Sequence, residues 1–205
     1  MIPNFKAHPW HGITAGEDAP DVVNVFVEIV PADTIKYEVD KKSGYLKVDR
    51  PQKFSNIIPA LYGFIPRTYC HEEVKRLAIR EGAKDVTEGD HDPLDILVLS
   101  SHNIHSGGLL MDAIPIGGFK MIDKGEADDK IVSVMVGDQV YGDIRDISEL
   151  PKAEVFRLKH YFLTYKNLPY EEATCRIEEI YGAEHAKEVI LASQKDYSDK
   201  FGGIM

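Results

Sequence analysis

The sequence predicts an α+β fold, a closed or nearly closed antiparallel β-barrel with helices packed outside it. Two observations carry this. Strand-like segments crowd into residues 22 to 136, and helical periodicity comes only afterwards. The strands are also many and short, and closing a sheet on itself buries such a set without free edges. The chain has 205 residues, 43% of them hydrophobic, which suits one domain with a sizeable core.

Each element has its own local reason. The segment before Asp21 is rich in Pro, Gly and His and reads as an irregular arm. From Val22 to Val30 a strand places Val23, Val25, Val27 and Ile29 on one face, and Phe26 and Glu28 on the other. Ile35–Val39 and Tyr45–Asp49 flank the turn-like Asp40-Lys41-Lys42-Ser43-Gly44 and form a hairpin. Ser55–Pro66 carries two prolines and Tyr62-Gly63 and reads as loop or edge, and 71–82 as a short surface helix. The apolar run Leu94–Leu99 has strand length. Leu110–Ile114, Gly118–Ile122 and Ile131–Val136 are read as further strands. From Pro151 to Lys166, Val155, Leu158, Phe162 and Tyr165 recur at helical spacing, and Pro151 suits a first turn. A second amphipathic helix over Glu184–Ser198 turns Ala186, Val189, Ile190 and Tyr197 inward.

Composition excludes several functions. Lys and Arg number 24 against 34 Asp and Glu, a net charge of −10. That opposes a general nucleic-acid binder, which needs a basic surface to release counterions. No apolar stretch approaches the roughly 20 residues that span a bilayer. Met1–Lys6 lacks a basic start followed by an apolar run, so the expectation is a cytoplasmic protein. Cys70 and Cys175 have no zinc or C-x-x-C spacing and read as buried thiols.

Two acidic clusters carry the chemistry. Asp90, Asp92 and Asp95 lie just before and at the mouth of the apolar strand 94–99, with Pro93 stiffening the backbone between them. Carboxylates this close repel one another unless cations compensate. An EF-hand is a poor fit: counting from Asp90, position 6 is Asp95 where Gly is needed and position 12 is Ser101 where Glu is needed. The second cluster, Asp123 to Lys130 with Asp128, also sits between strands. Hard divalent cations prefer such oxygens, and Mg²⁺ sites combine a few Asp residues with water and phosphate oxygens. Lys36 and Arg50 beside the hairpin, Lys130 at a strand start, and Tyr165 and Lys166 at a helix end are what a pocket for a small polyanion needs.

In their order along the chain these residues resemble the family I soluble inorganic pyrophosphatases. The signature is Asp90-His91-Asp92-Pro93-Leu94-Asp95-Ile96. Around it stand Val27-Glu28-Ile29, Ile35-Lys36-Tyr37-Glu38, Val48-Asp49-Arg50, Tyr62-Gly63-Phe64, Met121-Ile122-Asp123, Asp128-Asp129-Lys130 and Tyr165-Lys166. The resemblance implies an OB-like five-stranded antiparallel barrel spanning 1–205 as one domain, with residues 1–20 as its arm and the site at one mouth. It implies hydrolysis of pyrophosphate, entering as its Mg complex, to two phosphates by attack of a metal-bound hydroxide. The cofactor is several Mg²⁺ ions, with Mn²⁺ as a substitute. Asp90, Asp95 and Asp128 become primary metal ligands, Asp95 bridging two ions, and Asp123 a ligand for a further ion. Asp92 handles the attacking water. Lys36, Arg50, Tyr62, Lys130, Tyr165 and Lys166 bind pyrophosphate, and Glu28 and Glu38 support them. A homo-oligomer, hexamer or dimer, is also implied. The alternative is an Mg²⁺-dependent phosphohydrolase acting on a nucleotide or polyphosphate. His91, Ile58, Leu61 and Lys124 depart from the family pattern, and none removes a primary ligand. The arm His8-Pro9-Trp10-His11-Gly12 is expected to pack on the barrel or on a neighbouring subunit.

Overall fold

β1 (Val23–Ile29) shows how the barrel is built: its Val and Ile side chains are buried, but so are Phe26 and Glu28. The strand is therefore covered on both faces. The computed structural model describes residues 6–166 and 170–202. After β1 come β2 (Ile35–Val39), β3 (Leu46–Pro51), β4 (Leu61–Phe64), α1 (Glu72–Arg80), β5 (Glu88–Gly89) and β6 (Asp95–Leu99). Then follow β7 (Leu109–Asp123), β8 (Glu126–Ala127), β9 (Lys130–Met135), α2 (Lys152–Thr164), β10 (Cys175–Gly182) and α3 (Ala183–Phe201).

Five strands close a ring. β1 pairs with β4, β4 with β6, β6 with β9, β9 with β7, and β7 returns to β1. The OB-like barrel holds, with one correction: the β6–β9 seam is parallel, not antiparallel. The chain reverses into β7 and again into β9, so β6 and β9 run the same way and start at the same mouth. β2 and β3 form a separate hairpin beside the barrel.

Three strand expectations change. The stretch read as loop or edge contains β4, an interior strand of the ring. A Cβ on Gly63 would lie 1.9 Å from Phe26 O, so only glycine lets β4 approach β1 this closely. The two strands expected at 110–114 and 118–122 are one, β7, kinked by a register shift between Pro115 and Gly117. β10, after α2, was not expected; its own register shift between Ile177 and Glu179 breaks the period-2 signal.

Strand alternation divides the core. Ile96, Val98 and Ile131 pack with α1 and α3 through Val74, Leu77, Val189 and Ile190. Leu97, Leu99, Val132 and Val134 pack with Leu158, Tyr161 and Phe162 of α2. Cys70 and Cys175 are free and buried. Asp196 of α3 reaches the start of α1 and accepts the backbone N–H of His71, Glu73 and Val74 at 2.9–3.1 Å, supplying the cap that the His71 side chain does not.

Beyond β9, buried Asp138 accepts N–H bonds from Ser101, Val140 and Tyr141 at 2.7–2.9 Å, joining the ends of β6 and β9. Burial pushes this carboxyl up, but these donors outweigh it and hold the group well below the carboxylate range. A depressed carboxyl stabilises the fold fully above its unfolded-state value, near 4, and loses that contribution as pH falls toward the folded-state value. Asp138→Asn is expected to cost roughly 1–3 kcal/mol in urea unfolding at pH 7. Repeated below about pH 3, the gap should shrink, because the unfolded-state carboxyl takes up its proton while the native one is still ionised.

Candidate active site

Every site residue expected from the sequence lines one cavity of about 600 Å³. The parallel seam explains why the acids converge. Asp95 opens β6, Lys130 opens β9, and the two are register partners at the same mouth. Lys130, 2% exposed, binds both Asp95 Oδ2 and Asp128 Oδ1. Burial would lower its ammonium, but Asp128 and Asp95 outweigh that and hold it well above the usual lysine value. Tyr62 of β4 donates to Asp95 Oδ2 at 2.5 Å. Burial and the Asp95 charge keep this phenol protonated.

Asp90 and Asp92 sit on the loop entering β6. His91 between them takes a left-handed φ of 61°, and Asp90 Oδ1 accepts the Asp92 N–H at 3.0 Å. The Asp90 carboxyl is pushed well up, by burial first and then by the Asp128 charge. Burial raises Asp128 too, with Lys130 opposing and Asp95 adding. Asp123 ends β7; its Oδ2 holds Lys166 Nζ, while its buried Oδ1 has no protein partner. Among the described residues no three His, Cys, Asp or Glu side chains already form a ligand set. Lys130 and Lys166 take their oxygens.

The hairpin brings the opposite charge. Lys36 and Arg50 are cross-strand partners on β2 and β3, and two cations so placed repel. Just past this pair, between Lys36 and Tyr37, the register slips, making Asp49 the extra residue of a bulge. Asp49 contacts both Arg50 and, at 3.3 Å, Lys36. Lys36 also pairs with Glu38, which outweighs burial and raises its ammonium. Glu28 Oε1 accepts the Val39 N–H at 2.6 Å, tying the hairpin to β1. Burial lifts Glu28 to about 8 against that bond, which favours its protonated form. Tyr165 and Lys166 arrive from the end of α2; burial raises the phenol, and Tyr165 and Asp123 outweigh burial to raise the ammonium.

Residues outside the expected set also line the cavity: Trp10, Lys41, Lys53, Ile58 and Tyr161 among them. Lys53 Nζ donates to Lys166 O at 3.0 Å, and Lys41 pairs with Asp92. No local pattern marks these residues; a long-range approach brings each to the site. Asp49 had a signal, its place between Val48 and Arg50 in the recognised motif.

Comparison with known proteins agrees with this geometry. Residues 25–198 match the family model for inorganic pyrophosphatase. The inorganic pyrophosphatase of Chlamydia caviae is 46% identical over 199 residues, covering 95% of this chain and 92% of its own. The soluble inorganic pyrophosphatase of Zea mays is 39% identical, covering 95% and 81%. The crystal structure of inorganic pyrophosphatase from Thermus thermophilus superposes with a TM-score of 0.78 at 27% identity, over 94% of this chain and 99% of that one. A five-stranded barrel with acids gathered at its mouth and cations facing them, on a chain this similar throughout, places the protein in the inorganic pyrophosphatase family.

Proposed function

We propose that the cavity binds pyrophosphate and hydrolyses it to two phosphates by direct attack of water. The observation that carries this is the pairing of charges. Lys36, Lys130 and Lys166 each hold a carboxylate of the same cavity, and Arg50, which also lines it, holds Asp49 on the hairpin beside it. A magnesium–pyrophosphate complex offers both signs at once, so the lysines and Arg50 can turn to phosphate oxygens while the carboxylates take the metal.

The donor set fits hard divalent cations. Asp90, Asp95, Asp123 and Asp128 supply only carboxylate oxygens, Asp123 Oδ1 is buried without a partner, and Asp90 and Asp128 are crowded carboxyls that a cation would relieve. These four would hold Mg²⁺, with Mn²⁺ as an alternative. Bound there, the metal supplies charge neutralisation and Lewis acidity toward water.

The chain's own groups do the rest. Asp92, half-exposed at the mouth, accepts or orients the proton of the attacking water. Lys36, Arg50, Lys130 and Lys166 bind pyrophosphate oxygens as cations, and Tyr62 and Tyr165 as neutral donors. Arg50, Lys36, Tyr165 and Lys166 take charge off the departing phosphate. Glu38 holds Lys36, and Glu28 holds the hairpin root. No helix of the described residues is long and apolar enough to cross a membrane. Exposed apolar side chains, Val140 at 65% and Phe156 at 62%, support the further reading of a homo-oligomer.

The test is phosphate release with and without Mg²⁺. With Mg²⁺, pyrophosphate is expected to be turned over at least about a hundredfold faster than ATP, and EDTA should remove the activity. Comparable rates on ATP would favour the nucleotide phosphohydrolase.

A further inference from the structure

The arm His8–Gly12 is the sequence motif that the catalytic groups do not absorb, and it precedes the residues matched by the family. Its contacts are specific. Trp10 is 5% exposed, and its Nε1–H donates to Thr68 O at 2.8 Å. Trp10 O accepts the Arg67 N–H at 2.9 Å. The ring packs in a cluster with Val39, Leu46 and Tyr69.

These neighbours lead to the two ends of one ion pair. Val39 and Leu46 flank the hairpin turn that carries Lys41. Tyr69 OH lies 2.9 Å from His91 Nδ1, and His91 precedes Asp92. Lys41 Nζ and Asp92 Oδ1 form the pair. Its side chains are 56% and 47% exposed, and a solvated pair of that kind does not hold a geometry unaided. The backbones must be held instead. Asp40 Oδ1 accepts the Ser43 N–H at 2.8 Å and closes the turn. The arm presses on that turn: a Cβ on Gly44 would meet His8 and Pro9 at 2.9 Å.

We propose that Lys41 is a positioning residue for Asp92, and that the arm, through Trp10, holds Lys41 in place. Lys41 engages one carboxylate oxygen and leaves the other for the proton of the attacking water. This rests on Asp92 as the group that handles that water.

Lys41→Met is expected to lower kcat about tenfold while KM for magnesium pyrophosphate moves less than about twofold. Lys41→Arg should restore most of kcat. Lys42→Met, the same charge change one residue on, should leave it unaltered. Trp10→Leu should lower kcat to a similar extent, and the double variant with Lys41→Met should fall little further. If Trp10→Leu does not fold, Trp10→Phe, which keeps the apolar fill without the indole N–H, takes its place with a smaller loss expected. Trp10 is the only tryptophan, so its emission reports the arm without turnover, and Lys41→Met should change it. Unchanged kcat, an effect on KM alone, or fully additive losses would overturn the proposal. Asp92→Asn separates the two readings. If it is active, the role of Asp92 fails; if it is inactive while Lys41→Met is normal, only the positioning role fails.

Discussion

Asp95→Ala is expected to lose most Mg²⁺-dependent phosphate release and to remain folded. Asp95 stands where three elements meet: it opens β6, accepts Tyr62 OH, and shares Lys130 with Asp128. Removing it takes away one proposed metal ligand and the acceptor that fixes Tyr62. A loss of about a thousandfold in kcat corresponds to about 4 kcal/mol of barrier. The fold should lose only about 1–2 kcal/mol, because Lys130 keeps Asp128 as its counterion. Steady-state phosphate release at saturating Mg²⁺, paired with urea unfolding, reads both quantities. Near-normal turnover would sink the metal assignment of Asp95, and an unfolded variant would move the residue from chemistry to structure.

Lys130→Met should strike stability and activity together. The ammonium is buried between Asp95 and Asp128, with Asp90 crowding Asp128. Removing one partner of a buried pair leaves uncompensated charge, typically about 3–5 kcal/mol, or roughly 10 °C in melting temperature for a domain of this size. The loss should be largest in EDTA and smaller with Mg²⁺, since a divalent cation can neutralise the same carboxylates. Turnover should fall by about two orders of magnitude or more, because a cation proposed to face the phosphates is gone. A melting temperature equal to the parent's in EDTA would show that Lys130 does not hold the carboxylates. Lost activity with unchanged stability would leave it only as a substrate contact.

Much of the site was legible because its parts are local motifs. Asp90 to Asp95 stand within six residues, Asp123 to Lys130 within eight, and Lys36 and Glu38 share a strand face. Such spacing is written directly into the chain. The hairpin and the last two helices were legible for the same reason, since period-2 and helical patterns need no distant partner.

Other features have no local signature. β4 is four residues long and contains Gly63, whose value lies in how closely Phe26 approaches it. β10 alternates imperfectly because its ladder with β7 slips. Asp49 bridges Lys36 and Arg50 only because a bulge places it there. Trp10 reaches the cavity through contacts with residues dozens of positions away.

Sequence alone therefore settles which chemical groups this protein carries and that they suit divalent metal and polyanion together, because composition and short spacing are properties of the chain. The assembled fold settles who neutralises whom. The parallel β6–β9 seam puts Asp95 beside Lys130, and the hairpin folding back over the mouth puts Lys41 beside Asp92. Those pairings depend on the direction and register of strands far apart in the chain, and no short window of sequence contains them.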